Sequence, residues 1–371
     1  MPRVFLGFAV TFAIALGVAR LIWGGGNDFR FATGTPAIDA SVITNHLRFN
    51  HPPSSISVDP AGTVYFTVQP EARSDANQLL RIEDGIAVPF PDANAQQSVF
   101  DTVSAVTAGA TGQVFVLDHG NHGIGTPTLF RFNARTGEQT GRFDLSDVAP
   151  LGSHLTALVT TADDRYVLIA DASTWRRESA LIIVDARTGN IRRTLAGEPS
   201  ISADNWYVDP GTGPLKYFAG TFTWRPGLFS LAIDSQQDYL YLAALANDGL
   251  YRIPLSVLLR GQSDAAGAIE RFADKPLSSA MLVLPNDQLL ITDVNNHALH
   301  LIDGDRRLRT LVQTSQIRWA AGLALSPTGD LLITDAAFDA YVFDGAPAME
   351  QNAPFFILKL AGLTQLIDAV E

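Results

Sequence analysis

One pattern recurs six times along this chain: an apolar run, a short polar turn, and a second apolar run rich in β-branched and aromatic residues. The turns are Asp59-Pro60-Ala61-Gly62, Ala110-Thr111-Gly112, Ala162-Asp163-Asp164, Ser235-Gln236-Gln237-Asp238, Pro285-Asn286-Asp287 and Pro327-Thr328-Gly329. The runs behind them include Val64-Tyr65-Phe66-Thr67, Val114-Phe115-Val116-Leu117 and Tyr166-Val167-Leu168-Ile169. The later copies are Tyr239-Leu240-Tyr241-Leu242, Leu289-Leu290-Ile291-Thr292 and Leu331-Leu332-Ile333-Thr334. Each unit reads as a β-hairpin whose strands are mostly buried on both faces.

The steps between turns are 50, 52, 73, 50 and 42 residues, counted from Gly62, Gly112, Asp164, Gln237, Asp287 and Gly329. The long step is read as one inserted loop at about 198–221, rich in Gly, Pro, Asn and Trp. A third strand follows each hairpin, and the near-copies Ala134-Arg135-Thr136-Gly137 and Ala186-Arg187-Thr188-Gly189 close two of them. Leu250-Tyr251-Arg252-Ile253, Leu299-His300-Leu301-Ile302 and Tyr341-Val342-Phe343 are expected in the same place. An all-β repeat of about 40–50 residues with four short strands per unit is the signature of a propeller. Six copies predict a single six-bladed β-propeller over residues 27–371. A ring also removes the exposed edges that such apolar strands could not tolerate. Either Asn27 to Asn50 or Phe355 to Leu360 is expected to supply a closing strand.

Composition narrows the partners. The net charge is −12, from 26 basic and 38 acidic residues, with no basic cluster, which argues against nucleic acid. The absence of cysteine excludes disulfides, thiolate nucleophiles and Cys-ligated metal. Arg3 precedes an apolar run from Val4 to Val18, and Gly24 to Gly26 break the chain behind it. Residues 1–26 therefore read as a signal peptide or an N-terminal membrane anchor, and the rest as exported, periplasmic or extracellular. Membrane contact is expected only through that segment.

Several stretches resemble the major royal jelly and yellow protein family. They are Gln113-Val114-Phe115-Val116-Leu117-Asp118, Ile169-Ala170-Asp171 with Leu181-Ile182-Ile183-Val184-Asp185, and Gly227-Leu228-Phe229-Ser230-Leu231-Ala232. Leu250-Tyr251-Arg252-Ile253-Pro254, Asn295-Asn296-His297-Ala298-Leu299 and Ile317-Arg318-Trp319 continue the likeness, which runs from about Val99 to Asp335. The resemblance implies a secreted propeller, with dopachrome conversion or small-amine binding among its family activities. The chain departs from the family where an acidic Asp-Gly pair is usual, at Ser279-Ala280-Met281 and at Trp319-Ala320-Ala321-Gly322.

A rival class is the gluconolactonase-like calcium-dependent hydrolases, which hold their ion with carboxylates and amides at the starts of inner strands. Here those positions are Ser54-Ser55, Val103-Ser104, Leu155-Thr156, Leu228-Phe229, Ser279-Ala280 and Ala320-Ala321, with no Glu, Asn or Asp among them. Asp118, Asp171, Asp293 and Asp335 recur at the ends of second strands. They fit a repeated turn cap, or alternatively a ring of carboxylates facing a channel. The seven histidines are His46, His51, His119, His122, His154, His297 and His300. The loop Asp118-His119-Gly120-Asn121-His122-Gly123 is the richest cluster, so Asp118, His119 and His122 are the candidate catalytic residues. No HExxH-like spacing supports a metal, and no nucleophile elbow, Walker loop or dinucleotide fingerprint occurs, so neither metal nor cofactor is expected. Trp175, Trp206, Trp319, Arg318 and Asn296 are the candidate ligand contacts, and Trp224 with Arg225 is a further aromatic–cation pair. The expected function is binding of a small aromatic or amine-like molecule at the central opening, with tautomerase-like chemistry implied by the resemblance. A calcium-dependent hydrolase and a non-catalytic envelope scaffold are the alternatives.

Overall fold

A computed structural model describes residues 14–73, 75, 77–262 and 264–370. Six four-stranded antiparallel sheets form the blades, each named here by strands a to d from the axis outward. Blade 1 comprises Pro53–Val58, Val64–Val68, Leu79–Glu83 and Ile86–Pro89, and blade 2 Val103–Ala108, Gln113–Asp118, Thr128–Asn133 and Gln139–Asp144. Blade 3 comprises Leu155–Thr160, Tyr166–Asp171, Ala180–Asp185 and Ile191–Thr194. Blade 4 comprises Leu228–Ile233, Tyr239–Ala244, Gly249–Pro254 and Glu270–Asp274. Blade 5 comprises Met281–Val283, Leu289–Asp293, Ala298–Ile302 and Leu308–Gln313. The a strands contact one another in a closed ring, blade 6 meeting blade 1.

Blade 6 is built from both ends of the chain. Its strands a and b are Ala320–Leu325 and Leu331–Asp335, its third strand is Phe355–Leu360, and Ile43–Phe49 pairs outside that. The pairing runs from Ile43 opposite Leu360 to Phe49 opposite Phe355. Both candidate closing segments are therefore used. The expectation that Tyr341-Val342-Phe343 is the third strand is corrected: those residues lie in a turn after the 3₁₀ segment Phe338–Ala340. Tyr341 is fully buried there against Phe338 and Phe355, so its side chain packs the interior without joining the ladder.

The insertion is longer than read from sequence, running from strand d of blade 3 at Thr194 to strand a of blade 4 at Leu228. It arches over one face of the ring. Asp209 N–H donates to Asn295 Oδ1 of blade 5 at 3.0 Å, and Thr212 Oγ1 pairs with Asp339 Oδ2 of blade 6 at 3.2 Å. Beneath it Val208, Leu215, Trp224, Trp319, Phe338 and Tyr341 form one buried cluster. The expectation of an export segment falls largely on residues 1–13, outside the described residues. Residues 14–23 are helical, and among the described residues no helix is long and apolar enough to cross a membrane.

Burial of strand b on both faces explains why the repeat lacks alternation: Val114 to Leu117 are all inaccessible, contacting the flanking blades on either side. Ile357, fully buried on the third strand of blade 6 opposite Thr334 and Leu47, joins that closure to the core. Ile357→Ala is expected to cost about 2–5 kcal/mol of unfolding free energy in urea titrations. Ile86→Ala, at a position 64% exposed, should stay within about 0.5 kcal/mol of wild type.

Candidate functional site

The beginning of strand a pairs with the end of strand b in each blade, as in Leu155 opposite Asp171 and Ala320 opposite Asp335. The b–c loops and the segments entering strand a therefore share one rim, and the repeated polar turns occupy the other. On the shared rim the recurring aspartates are backbone clamps. Asp118 accepts from the N–H groups of Asp101 at 2.7 Å and of Thr102 and Gly120 at 2.9 Å. Asp171 accepts from His154 N–H at 2.8 Å and pairs with Arg193 at 2.7 Å. Asp335 accepts from Trp319 N–H at 2.9 Å and from Arg318 Nε at 2.7 Å. In each case the clamp fixes the residues that enter strand a. Burial pushes the Asp118 carboxyl above its ordinary value despite those N–H bonds.

Four residues after strand b of blade 2, Gly120, Asn121, His122 and Gly123, all have φ between 47° and 79°. The two glycines adopt this left-handed path freely, whereas Asn121 and His122 hold it at a cost of roughly 1–2 kcal/mol each. The turn folds His122 back over His119, with ring centroids 4.6 Å apart and nearly parallel planes. His122 N–H donates to His119 Nδ1 at 3.0 Å, and His119 Nε2 is buried without a partner. From blade 1, Pro70 opens a 3₁₀ turn that carries Glu71, whose Oε1 lies 2.9 Å from His122 Nε2. From blade 3 comes His154, its ring centroid 4.9 Å from that of His122 and its Nδ1 2.8 Å from Thr174 Oγ1. One ligand-capable atom from each of Glu71, His122 and His154 lies within 4.8 Å of the others.

Burial drives the His119 imidazole down to about 3 and that of His154 well below its ordinary value, so both are neutral at physiological pH. For Glu71 burial opposes ionisation, but the hydrogen bond and charge of His122 prevail and bring the carboxyl to about 2. Glu71 is thus an anion among imidazoles.

Next to this cluster the central channel encloses a cavity of about 400 Å³. Its lining contains hydroxyls from Ser54, Ser104, Thr156, Ser230 and Ser279 and, among the described residues, no Asp, Glu, Lys or Arg. Two of these hydroxyls stitch neighbouring blades, Thr156 Oγ1 donating to Phe229 O at 3.0 Å and Ser279 Oγ to Ala320 O at 2.5 Å, while Ser104 Oγ donates within its own blade to Leu117 O at 3.3 Å. Ser230 Oγ, buried, has no partner among the described residues. His154, Trp224, Phe229, Trp319 and Phe338 line the cavity at the rim end. Trp319 packs against Trp224 and Phe338 with centroids 5.9 and 5.2 Å away.

The sequence candidates divide accordingly. His119 and His122 belong to the cluster, Asp118 clamps their loop, and Trp319 lines the cavity. Trp175 stands at the edge of His122, 6.3 Å between centroids, and packs on Tyr217 and Phe222. The remaining three are occupied elsewhere. Arg318 donates to Asp335 and to the carbonyls of Asn352 and Pro354. Asn296 Nδ2 donates to Asp293 at 2.8 Å, and Trp206 packs against Phe29. Sequence reasoning missed Glu71, the selection of His154, and the cavity aromatics Phe229 and Phe338. Aligning the repeats by strand groups the first two with the sequence candidates, since Glu71 and His122 both follow a strand b while His154 and Trp319 both directly precede a strand a.

The architecture and its neutral, aromatic-capped channel define a six-bladed propeller with an internal ligand-sized cavity. A family model of the major royal jelly proteins matches residues 101–315, more than half of the chain, and the chain belongs to that family. Solved structures repeat the fold. Regucalcin of Agrobacterium tumefaciens, described as a calcium-binding protein, is 16% identical with a TM-score of 0.56, covering 89% of this chain and 95% of its own. A gluconolactonase of Xanthomonas campestris is 12% identical with a TM-score of 0.54, covering 80% and 86%. A luciferin-regenerating enzyme is 10% identical with a TM-score of 0.58, covering 86% and 95%. At such identities the likeness is one of fold. No curated protein sequence matches the chain.

Neutral burial of His119 and His154 has a stability consequence. Their folded values lie below that of a free imidazole, so the unfolded chain takes up protons first as the pH falls through about 6.5. The stabilisation present above that pH is lost on acidification, at up to about 1.4 kcal/mol per pH unit for each imidazole. Urea titrations between pH 7.5 and 5 are expected to show this decline, with a shallower slope in His154→Asn. An unchanged slope in that variant would show that His154 takes up protons in the folded state as well.

Proposed function

We propose that this propeller binds a small aromatic molecule, neutral in its buried part, in the central channel, entering from the rim of the polar turns and coming to rest against the closed end formed by Trp319, Trp224 and Phe338. The observation that carries the reading is the channel lining: about 400 Å³ walled by hydroxyls, aliphatic groups and aromatic rings, with no charged carboxylate, ammonium or guanidinium group. That volume suits a single small organic ligand. Ser230 Oγ offers an unsatisfied buried hydroxyl, and such a group gains most from a ligand's hydrogen bond. A phosphate or sugar acid would carry its charge into the channel with no cation in the wall to oppose it. Calcium would find no carboxylate in this wall to oppose its charge. The basic start and apolar run from Val4 to Val18 support export of the chain, which fractionation of expressing cells would test. Dopachrome-tautomerase-like turnover is a finer reading that membership of the family brings.

Thermal unfolding of the full chain with catechol, indole and tryptamine tests the binding. A ligand at 100 times its dissociation constant stabilises by about 2.7 kcal/mol, a readily measured shift. Stabilisation by the aromatic probes is expected, with tryptamine no better than indole, and Thr156→Phe, which fills the channel, should abolish it. Absence of any shift with millimolar aromatics, or calcium-dependent lactone hydrolysis instead, would sink the reading. Loss of dopachrome absorbance in the presence of the protein would add isomerisation to binding.

A further inference from the structure

We infer that Glu71, His122 and His154 form a binding site for one divalent first-row transition metal ion, zinc being the simplest occupant, at the rim of the central channel. The inference is independent of the small-molecule reading, because it concerns side chains outside the hydroxyl-lined wall and is tested with the metal alone.

The three side chains come from three blades and converge without any continuous sequence motif, with one ligand atom of each within 4.8 Å of the others. Two ligands on a tetrahedral ion with bonds of about 2.1 Å stand about 3.4 Å apart. The 2.9 Å contact between Glu71 Oε1 and His122 Nε2 is therefore already near that spacing. Two imidazoles and a carboxylate are the donor set of catalytic zinc and of non-haem iron, borderline ions that accept nitrogen and oxygen together. Calcium, which takes oxygen ligands only, is poorly served by it.

The surroundings hold the donors as metal ligands are usually held. Thr174, itself buried, bonds His154 Nδ1 at 2.8 Å, which fixes the ring and leaves Nε2 as its free nitrogen. His119 fixes the His122 loop through its Nδ1 and stacks on the His122 ring. An independent sign is that the cluster is under-satisfied. His122 Nδ1 and His119 Nε2 are both buried with no partner, and His119 is only 2% exposed. Buried polar atoms without partners are uncommon, and these two leave the hydrogen bonding around the donor rings incomplete, although neither atom is itself a ligand in the arrangement proposed. Finally, His154 also lines the cavity, so an ion bound to it would keep its remaining coordination positions toward the channel.

The test uses the full chain without a polyhistidine tag, stripped with chelator and then titrated with Zn²⁺ against a chromophoric chelator and with Co²⁺ by its visible absorption. One ion per chain is expected, with micromolar or tighter affinity for Zn²⁺, a tetrahedral or five-coordinate Co²⁺ spectrum, and no competition from millimolar Ca²⁺. Glu71→Gln keeps the shape and hydrogen bonding of the side chain, so it should fold normally while weakening Zn²⁺ at least about 10-fold, the scale of lost metal-site interactions. His154→Asn should weaken it further, and His51→Gln, outside the cluster, should leave it unchanged. Wild-type binding no tighter than millimolar, or equal affinity in wild type, Glu71→Gln and His154→Asn, would overturn the assignment.

Discussion

Everything in this molecule depends on the seam between blades 6 and 1. Ile43–Phe49 adds the outermost strand to a sheet whose other three strands lie near the C-terminal end, and strand a of blade 1 begins only four residues later, at Pro53. Without that pairing, Phe355–Leu360 would be an open edge of apolar backbone, the condition a ring of blades exists to avoid. The same seam is stitched in the buried interior, where Thr334 Oγ1 of blade 6 donates to Ser54 O of blade 1. Glu71 lies on blade 1 and Trp319 and Phe338 on blade 6, so the spacing between the charged rim and the aromatic cap is set by this closure.

A second layer of constraint turns a ring into a site. The carboxylates ending strand b hold the chain just before strand a in place, so the residues they pin, His154 and Trp319, are the ones that close the rim end of the cavity. A scaffold this fixed can hold Asn121 and His122 in a left-handed conformation that a free loop would abandon. Asp118 shows the distinction between a positioning group and a reacting one. Its oxygens are taken by three N–H groups, and what it contributes is the place of the two histidines beyond it.

The blades were legible because their cause is local: each hairpin carries its own turn and its own apolar runs, and six repetitions leave little choice of architecture. The sixth blade was misread at Tyr341-Val342-Phe343 because burial of Tyr341 and Phe338 imitates a strand's apolar pattern, while the true third strand lies beyond a short helix at Ala346–Asn352. The site was legible only where it is local too. His119 and His122 share a loop, so proximity along the chain revealed them. Glu71 and His154 reach the same point from neighbouring blades, and spacing along the chain says nothing about convergence around a ring. Arg318 and Trp319 show the limit at single-residue scale: adjacent in sequence, one faces the clamp at Asp335 and the other the cavity.

The division of polarity between wall and rim follows from what each can bear. A charge inside a narrow channel would lose most of its hydration, and only compensating charge could repay that loss. The wall avoids the problem by using neutral hydroxyls, some of them bonded to a neighbouring blade as Thr156 is to Phe229 O, with Ser230 Oγ buried and unpaired among the described residues. Glu71 sits where it keeps partial access to solvent and has an imidazole at 2.9 Å, so its negative charge is both hydrated and opposed. A cation drawn to this rim meets no competing carboxylate farther in, and a neutral aromatic molecule in the channel meets no charge until it reaches the closed end. His154 belongs to both regions, its Nδ1 tied to Thr174 and its ring on the cavity wall. Gln69 shares that border, lining the cavity while its Oε1 accepts the Glu71 N–H, so two side chains from blades 1 and 3 join the anionic cluster to the neutral channel.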